Sequence, residues 1–240
     1  MRLCNQVIGL TKALIVDQLR WRTVIIQLPI VAALPIYFVV AFGAWSYLET
    51  IMAGAVVSVA VWIATALVQD IVYEKETYKY LEMLIASPMT PIAYIIGHLL
   101  AVYVLSVLSM TPLLVVYAYI VEKPIALLAV PLIALLAIPL SVASMLVGLR
   151  MKSIREVAGL SGLVSLLLLF VPPVYYPASR LPGILAKASL LVPSAALAEA
   201  YRGLTLGESI VNPSLLILYL LLLTLASLVY ALKSLDWRIG

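Results

Sequence analysis

Long apolar runs separated by short polar breaks dominate the chain, and they predict membrane-crossing helices near Val24 to Ala44, Ile51 to Val68, Ile92 to Tyr119, Ile125 to Leu149, Val157 to Val174 and Ser214 to Leu232. A helix needs about 20 apolar residues to cross the hydrocarbon, whereas barrel strands would show as alternating segments of about 10. The pattern is therefore that of an all-α, polytopic membrane protein with about six transmembrane helices in one domain, 1–240. Pro29, Pro35, Pro112, Pro131 and Pro139 fall inside the runs; kinks rather than breaks are expected, because neighbouring helices can satisfy the freed carbonyls.

Two segments depart from this pattern in instructive ways. Residues 1–22 place Leu3, Val7, Leu10 and Leu14 at helical spacing, with Arg2, Asn5, Gln6 and Lys12 elsewhere on the wheel, which predicts an amphipathic helix on the membrane surface. Lys12 and Asp17 interrupt any apolar core that a cleaved signal would need. Residues 172–213 are too broken to cross and too apolar to float in water. Prolines at 172, 173, 177, 182, 193 and 213 divide them into two short helical pieces, Pro182 to Leu191 and Ser194 to Gly203, with Ser194 as expected N-cap of the second. These predict helices that dip partway into the outer leaflet and return.

Composition agrees, with 65% hydrophobic residues, 11% charged and a mean hydropathy of +1.17. The single cysteine, Cys4, and single histidine, His98, exclude a disulfide framework or a zinc site built from Cys and His. The net charge of +4 reads as topology rather than nucleic-acid binding. Arg2, Lys12, Arg20, Arg22, Lys75, Lys79, Arg150, Lys152, Arg155, Lys233 and Arg238, eleven of the 15 basic residues, fall on the side of the termini. Both termini are thus expected in the cytoplasm of a multi-pass cell-membrane protein, with Trp45, Tyr47, Tyr175 and Tyr176 at the outer interface.

The polar stretch 69–91 is far longer than a turn between two spans requires. It holds Asp70, Glu74, Lys75, Glu76, Lys79 and Glu82, and from Ile71 to Ala86 it reads as one amphipathic helix with Tyr78, Leu81, Leu84 and Ile85 on a face. Ser87-Pro88 and Pro91 end that helix and turn the chain into the next span. A docking site outside the bilayer is expected here. No G-x-x-x-x-G-K-[ST] run is present, so nothing in the chain cradles ATP phosphates. Energy comes from another polypeptide or is not used.

The run Glu74-Lys75-Glu76, then Leu81-Glu82-Met83-Leu84-Ile85-Ala86-Ser87-Pro88, followed by Gly97, resembles the cytoplasmic signature of the type-2 ATP-binding-cassette exporter permeases. Leu181-Pro182, Pro193-Ser194 and Glu199-Ala200-Tyr201-Arg202-Gly203 resemble the same family's helical re-entry before its last span. Lys79-Tyr80 stands where many members have Gly-Thr. The resemblance implies an export permease for amphipathic, lipid-like or drug-like cargo, or for a polysaccharide or peptide. It also implies a second permease copy in a homodimer or heterodimer, a separate ATPase subunit carrying ATP and Mg, and no cofactor on this chain. By that analogy Glu74, Lys75, Glu76, Leu81, Glu82, Leu84, Ser87 and Pro88 form the coupling region, with Glu74, Glu76 and Glu82 meeting basic residues of the ATPase.

Other candidates are more local. Glu199 and Arg202, three apart on a helical turn beside Pro193, read as a partly exposed ion pair or as an outer gate. His98 near the start of the third span reads as structural rather than as a proton relay. Gln27, Tyr37, Ser58, Thr65, Tyr103, Ser106 and Thr111 are candidate pathway residues in contact with membrane lipid or cargo. Gly159-Leu160-Ser161-Gly162 resembles a rhomboid-type serine motif, but the only histidine precedes it, and Gly203 and Gly207 lie in a loop rather than a packed helix pair. Two other classes stay open at this point. A membrane-embedded enzyme needs converging acid, base or metal groups that the sequence does not supply; a passive channel or scaffold would hold no ATPase.

Overall fold

The computed structural model describes residues 2–20, 34, 36–37, 40–43, 45–77, 79–122, 124–151 and 153–234. The span expected at Val24 to Ala44, with Gln27, lies largely outside them. The described chain forms helices α1 (Arg2–Arg20), α2 (Leu48–Val72), α3 (Tyr80–Ala86), α4 (Pro91–Val121), α5 (Ala129–Arg150), α6 (Ile154–Phe170), α7 (Gly183–Ser189), α8 (Pro193–Thr205) and α9 (Pro213–Ser234). Among the described residues, four helical stretches are long and apolar enough to cross a membrane: Trp45–Glu76, Pro91–Val121, Pro124–Arg150 and Pro213–Ser234. At 17 residues α6 spans about 25 Å at 1.5 Å per residue, within reach of the hydrocarbon thickness. It begins at Ile154 and ends at Phe170, the early end following from Pro172 and Pro173, which lack the N–H groups that would extend it. Both α4 and α5 continue through Pro112 and Pro139.

α2 is the hub. It is buried on nearly all sides, against α4, α5, α6 and α8. Its small residues allow that crowding: Ala53, Ala60 and Ala64 are fully buried, and at Gly54 the backbone of Val174 and Tyr175 lies where any side chain would project. Lipid tails are as apolar as leucine, so helix association in a membrane relies on close packing and polar contacts between helices. α6 shows the second device. Its inner row, Val157, Ser161, Ser165 and Leu169, recurs every fourth residue, and Ser165 bonds Thr65 at 2.6 Å while Ser161 accepts from Gln69. Its outer row, including Leu163, Leu167 and Phe170, is exposed.

α1 lies along α4, with Leu10 pressed on Gly97 and Thr11 donating to the Gly97 carbonyl at 3.2 Å. Gln6 donates to the Pro88 carbonyl at 2.8 Å and Gln18 to Asp70 at 3.1 Å. The amphipathic helix is therefore fastened to both ends of segment 69–91.

That segment is not one helix. α2 runs into a π-helical turn at Tyr73–Thr77, and α3 begins after Lys79 at φ 49°, in the left-handed region. The expected single helix from Ile71 to Ala86 is corrected accordingly, because the positive φ breaks the 3.6-residue period; Tyr78 and the side chains of Leu81 and Ile85 lie outside the described residues. A side chain with a Cβ is strained there, at the position where the family pattern has glycine. Lys79→Gly is expected to raise stability by about 1 kcal/mol, read as a higher Tm in thermal unfolding.

Candidate functional site

Segment 73–88 gathers charge at one end of the bundle. Ser87 stops α3 in extended geometry, its hydroxyl donating to the Leu84 carbonyl at 2.7 Å and accepting from Met89 N at 3.2 Å. Thr90 caps α4 by accepting from Ala93 N at 3.2 Å, and Pro91 takes the first helical position, where a missing N–H costs nothing. Four residues, Ser87 to Thr90, thus connect α3 to α4 through a stiff elbow. Glu76, Glu82 and Pro88 face outward, Met83 is 59% exposed, and Leu84 is buried against the core. Burial and the nearby Glu74 carboxylate together push the Tyr80 hydroxyl above its ordinary range.

Glu74 behaves differently from Glu76 and Glu82. It is buried, accepting from the Tyr94 hydroxyl at 2.9 Å and facing His98 Nε2 at 3.1 Å. The other ring nitrogen of His98, Nδ1, lies 3.0 Å from the Tyr94 carbonyl, and the two rings pack at 4.3 Å. The histidine read as structural thus has a specific partner, 24 residues away in sequence. Lys75 reaches the opposite way, donating to the Leu149 and Met151 carbonyls at 3.2 and 2.9 Å. Its contact with Glu76 is a loose 3.5 Å pair near the surface. Of the eight residues assigned to the coupling region by resemblance, the structure turns Glu74 and Leu84 inward and leaves Glu76, Glu82 and Pro88 available.

At the other end of the bundle α7 and α8 meet at a bend of 103°. Glu199 and Arg202 lie in α8 beneath the loop that follows α6, and both are essentially inaccessible. Arg202 donates to Glu199 at 2.9 Å and to the Pro173 and Val174 carbonyls at 2.9 and 2.7 Å. Glu199 also accepts from Ile210 N at 3.0 Å and Ala178 N at 3.4 Å. The expectation of a partly exposed pair is corrected: two loops fold over it, and it pins both of them to α8. Ser194 is not the N-cap, since Val192 holds that position and Pro193 is the first helical residue; the Ser194 hydroxyl donates instead to the Leu168 carbonyl at 2.6 Å. α8 runs past Gly203 to Thr205, and Gly203 lies against Pro213.

Among the described residues, the pathway candidates lie in different settings, and Gln27 is outside them. Ser58, Thr65 and Ser106 are buried, each hydroxyl donating to a carbonyl three or four residues earlier in its own helix. Tyr103 donates to the Val130 carbonyl at 3.2 Å. Tyr37 and Thr111 lie on the outside of the chain. An open polar cleft of about 610 Å³ beside the hairpin is lined by Tyr47, Thr50, Arg180, Glu199 and Glu208 among others, and by none of these candidates. Among the described residues no cluster of His, Cys, Asp or Glu has metal-binding geometry.

No curated protein matches the chain. Residues 24–233, from the first expected span to the end of the last, match the sequence model of the family described as ABC-2 family transporter protein. Together with its apolar helices, this match shows that the chain belongs to the ABC-2 transporter family, as a multi-pass membrane permease of a kind that works with an ATP-binding subunit.

Proposed function

We propose that the chain is the permease subunit of an ATP-driven exporter in the cell membrane, with both termini in the cytoplasm and the outward face of segment 73–88, with Glu76, Glu82 and Met83, seated on a separate ATPase subunit. The observation that carries this reading is the form of that segment. It projects Glu76, Glu82 and the exposed Met83 beyond the bundle, while Glu74 bonds inward to α4 and Lys75 to the end of α5. An apolar anchor ringed by acidic groups suits a cleft with basic walls, because charge complementarity steers docking and a buried side chain supplies affinity. A short helix held at both ends passes on a tilt rather than absorbing it.

Charge in the interior supports an amphipathic, lipid-like or drug-like cargo, or a polysaccharide or peptide, over an ion. Ionisable groups at membrane depth mark ion and proton routes, and the Glu199–Arg202 pair is already engaged by backbone partners on both sides. Tyr37 and Thr111, exposed on one chain, would line a passage once a second copy faces them; the permease is accordingly proposed to act as a dimer.

The test is co-purification. The double substitution Glu76→Lys and Glu82→Lys is expected to release the ATPase that otherwise accompanies the protein, weakening retention at least tenfold, as loss of close charge pairs at an interface does. Retention at the unsubstituted level would rule out this face as the seat.

A further inference from the structure

We infer that Glu74 and Lys75 are positioning residues, a two-sided clamp that hands movement of the coupling segment to α4 and α5 rather than touching the ATPase. The inference rests on the coupling role proposed above and goes beyond it by separating residues that dock from residues that transmit.

The π-helical turn at Tyr73–Thr77 inserts an extra residue into the helical path, and such turns re-aim side chains that a regular helix would stack. Here two neighbours point to different spans. Lys75 Nζ satisfies the Leu149 and Met151 carbonyls at the C-terminal end of α5, which have no helical partner of their own, and its charge complements the negative end of that helix dipole. Glu74 is held on the first two turns of α4 by Tyr94 and His98.

The hydrogen-bond pattern specifies a charged latch on the α4 side. Both ring nitrogens of His98 face oxygen acceptors, the Glu74 carboxylate and the Tyr94 carbonyl, and an imidazole donates from both nitrogens only as the cation. The surroundings add negative charge: Asp70 on α2, one turn before Glu74, and Asp17 with Gln18 on α1, while Tyr80 on α3 and Tyr94 on α4 complete the shell. A buried ion pair resists separation because either partner alone would be an uncompensated charge. Segment 73–77, the start of α4 and the end of α5 should therefore shift together. Since α3 continues from this segment through Lys79 and joins α4 through Ser87 to Thr90, a push on α3 reaches α4 from both of its neighbours.

The experiment uses the complex with its co-purifying ATPase in lipid nanodiscs. With Cys4 replaced by serine, spin labels are placed at Tyr119→Cys and Ile184→Cys, 83% and 85% exposed near the far end of the bundle. The label distance is compared with and without ATP plus vanadate. The unsubstituted clamp is expected to give a nucleotide-dependent shift. Glu74→Gln and Lys75→Met should abolish it with the ATPase still bound and still hydrolysing ATP, and Lys75→Arg, which keeps the cation, should restore it. Lys75 is partly exposed, so its variants report even if Glu74→Gln fails to fold. No shift in the parent complex, a shift that survives Lys75→Met, or release of the ATPase by Glu74→Gln in a folded protein would overturn the clamp. Failure of Glu76→Lys with Glu82→Lys to release the ATPase would instead strike the docking assignment, so the two claims fall to different results.

Discussion

Glu199→Ala is expected to destabilise the protein by about 3–5 kcal/mol, the cost typical of breaking a buried pair and leaving the other charge without its counter-ion. Three losses coincide. The Arg202 guanidinium keeps two carbonyls but no carboxylate, and the backbone N–H groups of Ala178 and Ile210 lose their acceptor inside the hairpin. Arg202→Met should cost a similar amount for the complementary reason. The double variant Glu199→Met with Arg202→Met should fall well short of the sum, because neither charge is then stranded. Thermal unfolding of the purified protein reads all three. The neighbouring Glu208 is a control: it is exposed and its contact with Thr50 is a long 3.5 Å, so Glu208→Ala should change stability by less than about 0.5 kcal/mol. A Tm for Glu199→Ala within a degree or two of the parent would contradict the buried cross-link.

Gly54→Val carries the second large effect. Its Cβ would collide with the Val174 carbonyl and Tyr175 Cα, both backbone atoms that cannot rotate out of the way. Overpacking typically costs about 1–3 kcal/mol where flexible side chains give ground, and rigid backbone puts this site at the upper end or beyond. The displaced carbonyl is also the one that Arg202 bonds at 2.7 Å, so hub and hairpin would be disturbed together. Gly159 offers the contrast, since nothing lies within 4 Å of the position its Cβ would take. Gly159→Ala in α6 should be neutral or stabilise by up to about 1 kcal/mol through helix propensity. Equal effects of the two substitutions would mean that α2 is not packed as described.

What the sequence made legible follows from what a bilayer demands. Spans must be long, apolar and helical, so the positions of α2, α4, α5, α6 and α9 could be read from hydropathy to within a few residues. The amphipathic spacing of Leu3, Val7, Leu10 and Leu14 likewise corresponds to α1. Features that depend on a single backbone angle or on distant partners were not legible. A five-residue π-turn and one positive φ at Lys79 break the helical period, and with it the inference about which way Glu74 points. The i, i+3 spacing of Glu199 and Arg202 announced a pair, but its burial depends on two loops folding over α8 from either side in sequence. His98 stood out only as the lone histidine; its carboxylate partner comes into range because the chain doubles back at Pro88 to Pro91.

The most direct test of the central claim is accessibility at Met83, the exposed apolar residue at the tip of the proposed ATPase seat. With Cys4 replaced by serine, Met83→Cys is treated with a membrane-impermeant maleimide. Labelling is expected only after the cells are opened, and to be suppressed when the ATPase is bound. Labelling in intact cells, or labelling indifferent to the ATPase, would contradict the account.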